Sequence, residues 1–144
     1  MKPRNPDYAQ AVEALFRKAA FVVDVGYELV SITPGRVESR LVLQPRHLQQ
    51  DEVVHMGVQA TMADHTAGAA GASLIAADQL ILTSGFTMNL LQAAQGQELR
   101  CQAQVLRAGR TLSVVESEVY AVNRGEEKLV SKATVTLAVL TRNR

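Results

Sequence analysis

The stretch from Gly57 to Ala77, GVQATMADHTAGAAGASLIAA, decides the fold of this chain. It contains eight alanines and three glycines, and its single formal charge is Asp64. Small or apolar residues would lie on nearly every side of a helix with this composition, which is the pattern of a helix buried all round. Because glycine lowers helix propensity, we expect Gly57, Gly68 and Gly71 to permit the close approach of another backbone. The stretch therefore predicts a long helix around which a sheet packs tightly.

The residues before this helix predict one amphipathic helix and a hairpin. Asn5-Pro6-Asp7 is typical of a helix start, and the apolar spacing that follows predicts a helix over residues 5 to about 19. Residues 21–32 have a β-like pattern, and residues 36–43 alternate as a half-buried strand does. Thr33-Pro34-Gly35 is the turn between them, and residues 44–56 have the irregular pattern of a loop.

The residues after the helix predict strands only. Four β-rich runs, 80–91, 98–108, 112–122 and 129–140, are separated by short polar or glycine-containing segments. Consecutive strands with short turns favour an antiparallel meander. The chain is therefore predicted to be a single α+β domain over residues 1–144, with one long central helix wrapped by a curved antiparallel β-sheet.

Composition excludes several classes of function. Fifteen Lys and Arg against fourteen Asp and Glu give a net charge of +1, and no basic stripe indicates a nucleic-acid partner. A single cysteine, Cys101, excludes a disulfide-stapled scaffold. The longest uncharged run, residues 79–97, is too polar for a membrane span, and the first residues do not resemble a signal peptide. We expect a soluble cytoplasmic protein without a membrane partner.

Asp64 is the first candidate for chemistry. A carboxylate within a buried helix needs a partner or a purpose, because burying it unpaired costs several kcal/mol. No Lys or Arg lies within one helical turn of it. It is either a hydrogen-bonded core residue or a general base or nucleophile.

The predicted start of the same helix is the second candidate. His55 and Gly57 stand where free backbone N–H groups could polarise a carbonyl, and Gln49 supplies a nearby loop amide. A helix cap and a surface amide are the simpler interpretations of these residues. Eight residues separate Met56 from Asp64, or about 12 Å along a helix, which is too far for both to act on one carbonyl. A site shared across a two-fold dimer follows if both take part.

Other candidates are weaker by themselves. Thr83 in a predicted strand could hold a water molecule, and Arg107, Gly109 and Arg110 in a predicted hairpin could bind phosphate. An ordinary β-branched strand residue is the simpler interpretation of Thr83, and a turn glycine with solvated arginines is the simpler interpretation of the others. His47, His65 and Cys101 do not have the spacing of zinc ligands, so no metal site is predicted.

Two segments resemble a known family. The run from Val54 to Asp64, VHMGVQATMAD, resembles the His-Gly-Gly…Asp motif of hotdog-fold acyl-CoA thioesterases, and it is closest to the phenylacetate-degradation type. The nine-residue spacing from His55 to Asp64 matches that family. The segment from Arg107 to Leu112, RAGRTL, resembles its Gly-Arg-Thr segment, and the order of elements matches over about residues 20–140.

The resemblance implies an acyl-CoA thioesterase that needs no cofactor, because CoA is part of the substrate. It implies that Asp64 acts as general base or nucleophile, that Met56 and Gly57 polarise the carbonyl through their N–H groups, and that His55 shapes the site. Gln49 and Thr83 would hold substrate or water. The residues implied to bind the CoA phosphates are Arg107, Gly109, Arg110 and Thr111. The family forms homodimers with shared sites, often as dimers of dimers.

The sequence departs from the family pattern at two places. Met56 replaces the first glycine of the motif, and Gln92-Ala93-Ala94 replaces a usual Arg-Pro-Ala. A non-catalytic acyl-CoA-binding hotdog protein is the alternative that Met56 leaves open. A hotdog dehydratase is a further alternative, but the His motif that such an enzyme needs is not found.

Overall fold

A computed structural model describes residues 1–143 of the chain. Its helices are α1 (Tyr8–Lys18), α2 (Ala20–Val25) and α3 (Met56–Ala72), with a 3₁₀ turn at Pro45–His47. Its strands are β1 (Glu28–Thr33), β2 (Arg36–Val42), β3 (Gln79–Leu90), β4 (Glu98–Ala108), β5 (Leu112–Asn123) and β6 (Glu126–Thr141).

The six strands form one antiparallel sheet in the order β1-β2-β4-β5-β6-β3. Helix α3 packs against five of these strands, β2 to β6. The predicted α+β architecture of a long helix against an antiparallel sheet is confirmed. The predicted four-strand meander is wrong, because β3 pairs with β6 and not with β4. The connection between β3 and β4, residues 91–97, is longer than a hairpin turn, so it lets β4 cross to pair with β2 and β5.

Two predicted boundaries also differ. Residues 20–25 are helical rather than β-like, and Gly26 ends this helix with a left-handed backbone (φ 109°). A short apolar run does not by itself distinguish a helix from a strand. Helix α3 ends at Ala72 and not at Ala77. The N–H of Leu74 then bonds to the Gly71 carbonyl, and the chain turns toward β3.

The core forms between α3, α1 and the inner face of the sheet. From α3 it takes Met62 and four alanines, and from α1 it takes Val12 and Phe16. Cys101 is fully buried in β4, and burial raises the pKa of its thiol to about 12. This thiol is therefore protonated and inert at neutral pH.

The glycines of α3 do not all have the predicted role. A Cβ atom at Gly71 would lie 2.5 Å from Leu137 Cδ1, so this glycine does permit close packing, but against a side chain. A Cβ atom at Gly68 would have no neighbour within 4 Å, so the expectation of close approach is wrong there.

Helix α3 is also fixed to the sheet by buried hydrogen bonds. Ser117 Oγ of β5 donates to the Ala63 carbonyl at 2.8 Å. Ser131 Oγ of β6 donates to Gln59 Oε1 at 2.8 Å. Because these bonds are satisfied inside the core, they set the rotation and height of the helix on the sheet. They thereby fix where the Asp64 side chain emerges.

None of the helices in residues 1–143 is both long enough and apolar enough to cross a membrane.

Candidate active site

Asp64 is half-buried on α3, and its partner comes from β3. Thr83 Oγ1 donates a hydrogen bond to Asp64 Oδ1 at 2.6 Å. The second carboxylate oxygen, Oδ2, has no hydrogen-bond partner among residues 1–143. One oxygen is thus held in place while the other is available to accept a proton. Two residues that sequence analysis named separately are brought together by the packing of α3 on β3.

A bulge in β3 lies beside this pair. The pairing of β3 with β6 shifts register between Thr83 and Gly85, which leaves Ser84 as the extra residue. Bulges change the direction of neighbouring side chains and are frequent next to active sites. The alternation of the sequence gives no signal for the bulge.

The carboxylate and the hydroxyl line a cavity of about 450 Å³ between α1, α3 and β3. Its other walls are mainly apolar and include Leu15 of α1, Gly68 of α3 and Leu82 of β3. A cavity of this size, with apolar walls and few polar groups, is typical of a small-molecule site. The contribution of α1 to its wall was not predicted from the sequence.

The start of α3 is organised by His55. The His55 ring caps the helix, because its Nδ1 accepts a hydrogen bond from the Gly57 N–H at 2.8 Å. A Cβ atom at residue 57 would lie 3.0 Å from this Nδ1 atom, so glycine makes room for the capping ring. The expectation that the N–H groups of Met56 and Gly57 are both free is therefore wrong for Gly57. The Met56 N–H has no acceptor within residues 1–143.

Gln49, His55 and Met56 line a second hollow, an open groove of about 530 Å³. Its far wall is the end of β3 and the segment that follows, including Leu90 and Leu91. The Gln49 side-chain oxygen accepts a hydrogen bond from the Asp51 N–H, which folds the loop back on itself. The Gln49 amide group therefore stands beside the start of α3.

The residues predicted to act together are thus divided between two hollows of one chain. The cavity contains Asp64 and Thr83, whereas the groove contains the helix start and Gln49. About 12 Å of helix separates Met56 from Asp64, and about 24 Å of strand separates Thr83 from Leu90.

His47 holds the loop of the groove through both of its ring nitrogens. Its Nδ1 accepts a hydrogen bond from the Gln44 N–H at 3.0 Å, and its Nε2 lies 2.8 Å from the Val25 carbonyl oxygen. Its carbonyl accepts from the His55 N–H at 2.9 Å. Nothing in the spacing of the histidines indicates this role. No group of three potential metal-ligating side chains is found in residues 1–143.

His65 is a neighbour of the carboxylate that sequence analysis considered only as a metal ligand. It lines the same cavity and packs edge-on against Phe16 of α1, with ring centroids 4.7 Å apart. Burial lowers its pKa, and the nearby Asp64 charge opposes that shift only in part. The ring is therefore neutral at pH 7 and above.

The predicted phosphate-binding residues lie at the hairpin between β4 and β5. Arg107, Gly109 and Arg110 line a third hollow of about 570 Å³, and Thr111 is exposed next to them. A Cβ atom at residue 109 would lie 2.4 Å from the Leu112 carbonyl oxygen, so the turn requires glycine there. The Thr111 carbonyl accepts a hydrogen bond from the Val139 N–H, which fixes the turn to β6.

Comparison with known proteins identifies the family. Residues 51–128, more than half of the chain, match the thioesterase superfamily. The chain belongs to this superfamily. A solved structure of a thioesterase family protein from Silicibacter pomeroyi is 33% identical in sequence to this thioesterase, with a TM-score of 0.91. The matched region spans 93% of this chain and 98% of the Silicibacter protein. A conserved protein of Pseudomonas aeruginosa is 35% identical, with a TM-score of 0.77, and the matched region spans 85% of this chain and 94% of that protein.

A relative with a described activity gives the reaction class. The 1,4-dihydroxy-2-naphthoyl-CoA hydrolase of Listeria monocytogenes serotype 1/2a (strain 10403S) is 25% identical over 115 residues, which are 80% of this thioesterase and 91% of that protein. The predicted hotdog fold and the predicted thioester hydrolase activity are confirmed by the family and its members. The relatives support the enzyme over the non-catalytic acyl-CoA-binding alternative.

Proposed function

We propose that this thioesterase hydrolyses an acyl-CoA to the free acid and CoA, and that it is of the phenylacetate-degradation type. The observation that carries the proposal is the hydrogen-bonded pair of Asp64 and Thr83 in an apolar cavity. The Listeria relative acts on a CoA thioester by name, which supports CoA as the thiol. The mainly apolar wall suits an acyl group without charge.

The reaction needs a base and a water molecule. Asp64 Oδ2 takes a proton from water, and the water oxygen forms a bond to the thioester carbonyl carbon. Thr83 donates to Oδ1 and keeps the carboxylate aimed at the water. The C–S bond then breaks, the acid leaves, and the CoA sulfur receives the proton from Asp64.

The oxyanion formed in this step needs a donor. The Met56 N–H at the positive end of α3 has no acceptor among residues 1–143 and can donate to it. The methionine side chain does not remove this backbone donor. His55 keeps the helix start in place through its bond to Gly57.

A second copy of the chain would unite the two hollows. Strand β3 lies at one edge of the sheet, and its exposed side chains include Leu82, Phe86 and Leu90. Long apolar edge strands are normally covered. If two copies pair through β3 in antiparallel fashion about a two-fold axis near Phe86, Thr83 of one copy approaches the end of β3 of the other. The carboxylate of each chain would then face the helix start of its partner, which supports a homodimer with shared sites.

The decisive experiment replaces the base. Asp64→Asn keeps an acceptor for the Thr83 hydroxyl but cannot take a proton, so kcat should fall by about 10²–10⁴-fold. The rate is measured with short, long and aryl acyl-CoA thioesters, and the oligomeric state is measured by light scattering.

The matched control is Asp7→Asn, an exposed aspartate before α1, which should leave the rate unchanged. An Asp64→Asn enzyme with wild-type kcat would contradict the assignment of the base. A wild-type enzyme that hydrolyses none of the acyl-CoA panel would contradict the substrate class.

A further inference from the structure

The basic hollow at the β4–β5 hairpin has a second wall that the hairpin sequence does not reveal. The N-terminal segment, residues 1–5, folds over this hollow and contributes Met1, Lys2 and Arg4 to its lining. The segment is fixed there by Arg4, whose Nε donates to the Leu74 carbonyl at 3.3 Å. Four of the fifteen Lys and Arg residues thus surround one hollow in a protein with a net charge of only +1.

No carboxylate of residues 1–143 neutralises these four cations. Lys2, Arg4, Arg107 and Arg110 are exposed, and none forms an ion pair with a carboxylate in residues 1–143. None of the described residues that line the hollow is acidic. By contrast, other basic residues of the sheet, such as Arg40, Arg100 and Lys132, are paired with glutamates. An unpaired cluster of this kind attracts and holds a polyanion.

The basic hollow adjoins the cavity that contains Asp64. The same N-terminal segment lines both, since Asn5 belongs to the cavity and Lys2 and Arg4 belong to the basic hollow. The chain after α3 is likewise shared, with Leu74 on one side and Ile75 on the other. A ligand with a reactive end in the cavity and phosphates at its other end would pass over this segment.

We infer that Lys2 and Arg4 bind the phosphates of the nucleotide end of the substrate, together with Arg107 and Arg110. This inference rests on the proposed acyl-CoA substrate and assigns to the N-terminal segment a role in substrate binding. Arginine forms paired hydrogen bonds to phosphate, and lysine contributes a compact charge. The 3′-phosphate and the diphosphate of CoA supply the anionic groups.

The test measures phosphate binding without requiring hydrolysis. Calorimetry with 3′-phosphoadenosine 5′-phosphate compares the wild-type protein with Lys2→Gln and with the Lys2→Gln/Arg4→Gln double variant. Each lost cation should weaken binding by about two- to fivefold, as expected for exposed charge pairs, and added salt should reduce the difference. The control is Lys128→Gln, which should bind the bisphosphate as the wild type does. Lys128 is exposed near the start of β6, whereas the β4–β5 hairpin contacts Val139 near the end of that strand.

Kinetics separate a binding role from a structural one. In the double variant, KM for the acyl-CoA should rise by the factor by which its affinity for the bisphosphate falls, with kcat unchanged. The KM and kcat for the matching acyl-pantetheine, which lacks the nucleotide, should not change. Lys2→Gln alone removes no hydrogen bond made within residues 1–143, so its effect does not depend on the Arg4 contact with Leu74.

Three results would overturn the inference. The first is that both variants bind the bisphosphate with wild-type affinity. The second is that KM rises equally for acyl-CoA and acyl-pantetheine. The third is that Lys128→Gln weakens bisphosphate binding as much as the variants do. If acyl-CoA is hydrolysed and the variants keep the wild-type KM, the inference fails and the proposed function stands. If acyl-CoA is not hydrolysed but the variants bind the bisphosphate more weakly, the proposed function fails and the phosphate site stands.

Discussion

Asp64 obtains its position from one hydroxyl and from the rotation of the helix that carries it. Thr83 holds Oδ1, and the buried bonds of Ser117 and Gln59 hold α3. The motif residues around His55 have a different task, since the ring caps the helix and leaves one N–H, that of Met56, without an acceptor in residues 1–143. At this scale the proposed chemistry depends on one oxygen and one N–H group.

The proposed donor can be removed with little change to the backbone. Met56 is the first residue of α3, where proline is favoured, and His55 has the extended conformation (φ −60°, ψ 138°) that a following proline requires. Met56→Pro deletes the N–H group together with the methionine side chain, and kcat should fall by about 10²–10³-fold if the N–H group is the donor. Met56→Ala is the control, because it also removes the long side chain but keeps the N–H group, and it should keep its activity. Comparable kcat values for the two variants would show that this N–H is not the oxyanion donor.

His65 predicts how stability depends on pH. Burial lowers the pKa of His65 in the folded state. As the pH falls through about 6.5, the unfolded chain therefore takes up a proton at this residue more readily than the folded chain does. The contribution of the neutral ring is fully present above that pH and is lost as the pH falls toward the folded-state pKa. Urea unfolding of wild type and His65→Gln at pH 8 and pH 5.5 should show a smaller loss of stability in the variant. An equal fall in the free energy of unfolding in both proteins would show that His65 is not the group responsible for this pH dependence.

Two features of the helices and strands place Asp64 and Thr83: the close packing of α3 on the sheet and the bulge of β3. Gly71 allows Leu137 of β6 to approach the helix, and the extra residue Ser84 changes the alternation of β3 directly after Thr83. Helix α1 packs against α3 and lines the cavity with Leu15. Helix, strand and bulge therefore define one cavity together.

The two central glycines of α3 should respond differently to alanine. Gly68→Ala meets no neighbour and gains helix propensity, so the free energy of unfolding should rise by about 0.5–1 kcal/mol. Gly71→Ala gains the same propensity but brings its Cβ atom within 2.5 Å of Leu137 Cδ1. Overpacking should make it about 1–3 kcal/mol less stable than Gly68→Ala. Urea unfolding of both variants tests this order, and the reverse order would show that Leu137 moves aside at little cost.

The whole molecule contains all parts of the proposed site but keeps them in two separate hollows. The exposed edge of β3 connects these hollows, because Thr83 lies in its first half and Leu90 at its end. We expect pairing through this edge to complete two equivalent sites per dimer.

Mixed dimers test the shared site directly. An Asp64→Asn chain keeps a working helix start, and a Met56→Pro chain keeps a working carboxylate. Random mixing of the two inactive chains should restore about one quarter of the wild-type activity, since half of the dimers are mixed and each has one intact site. Mixing either variant with itself is the control. Dimers that exchange chains but regain no activity would place each site within a single chain.

The sequence by itself determined most of the elements and the identity of the chemical groups, although it did not predict helix α2. The alanine-rich run predicted α3, alternation predicted most of the strands, and the isolated charge of Asp64 marked the carboxylate, because these signals are local and periodic. It did not determine that β3 pairs with β6 or that Thr83 bonds to Asp64. It also gave no signal for the N-terminal lysine and arginine beside the β4–β5 hairpin. Only the tertiary structure decided these contacts, because they join residues far apart in sequence whose distance depends on how the core packs.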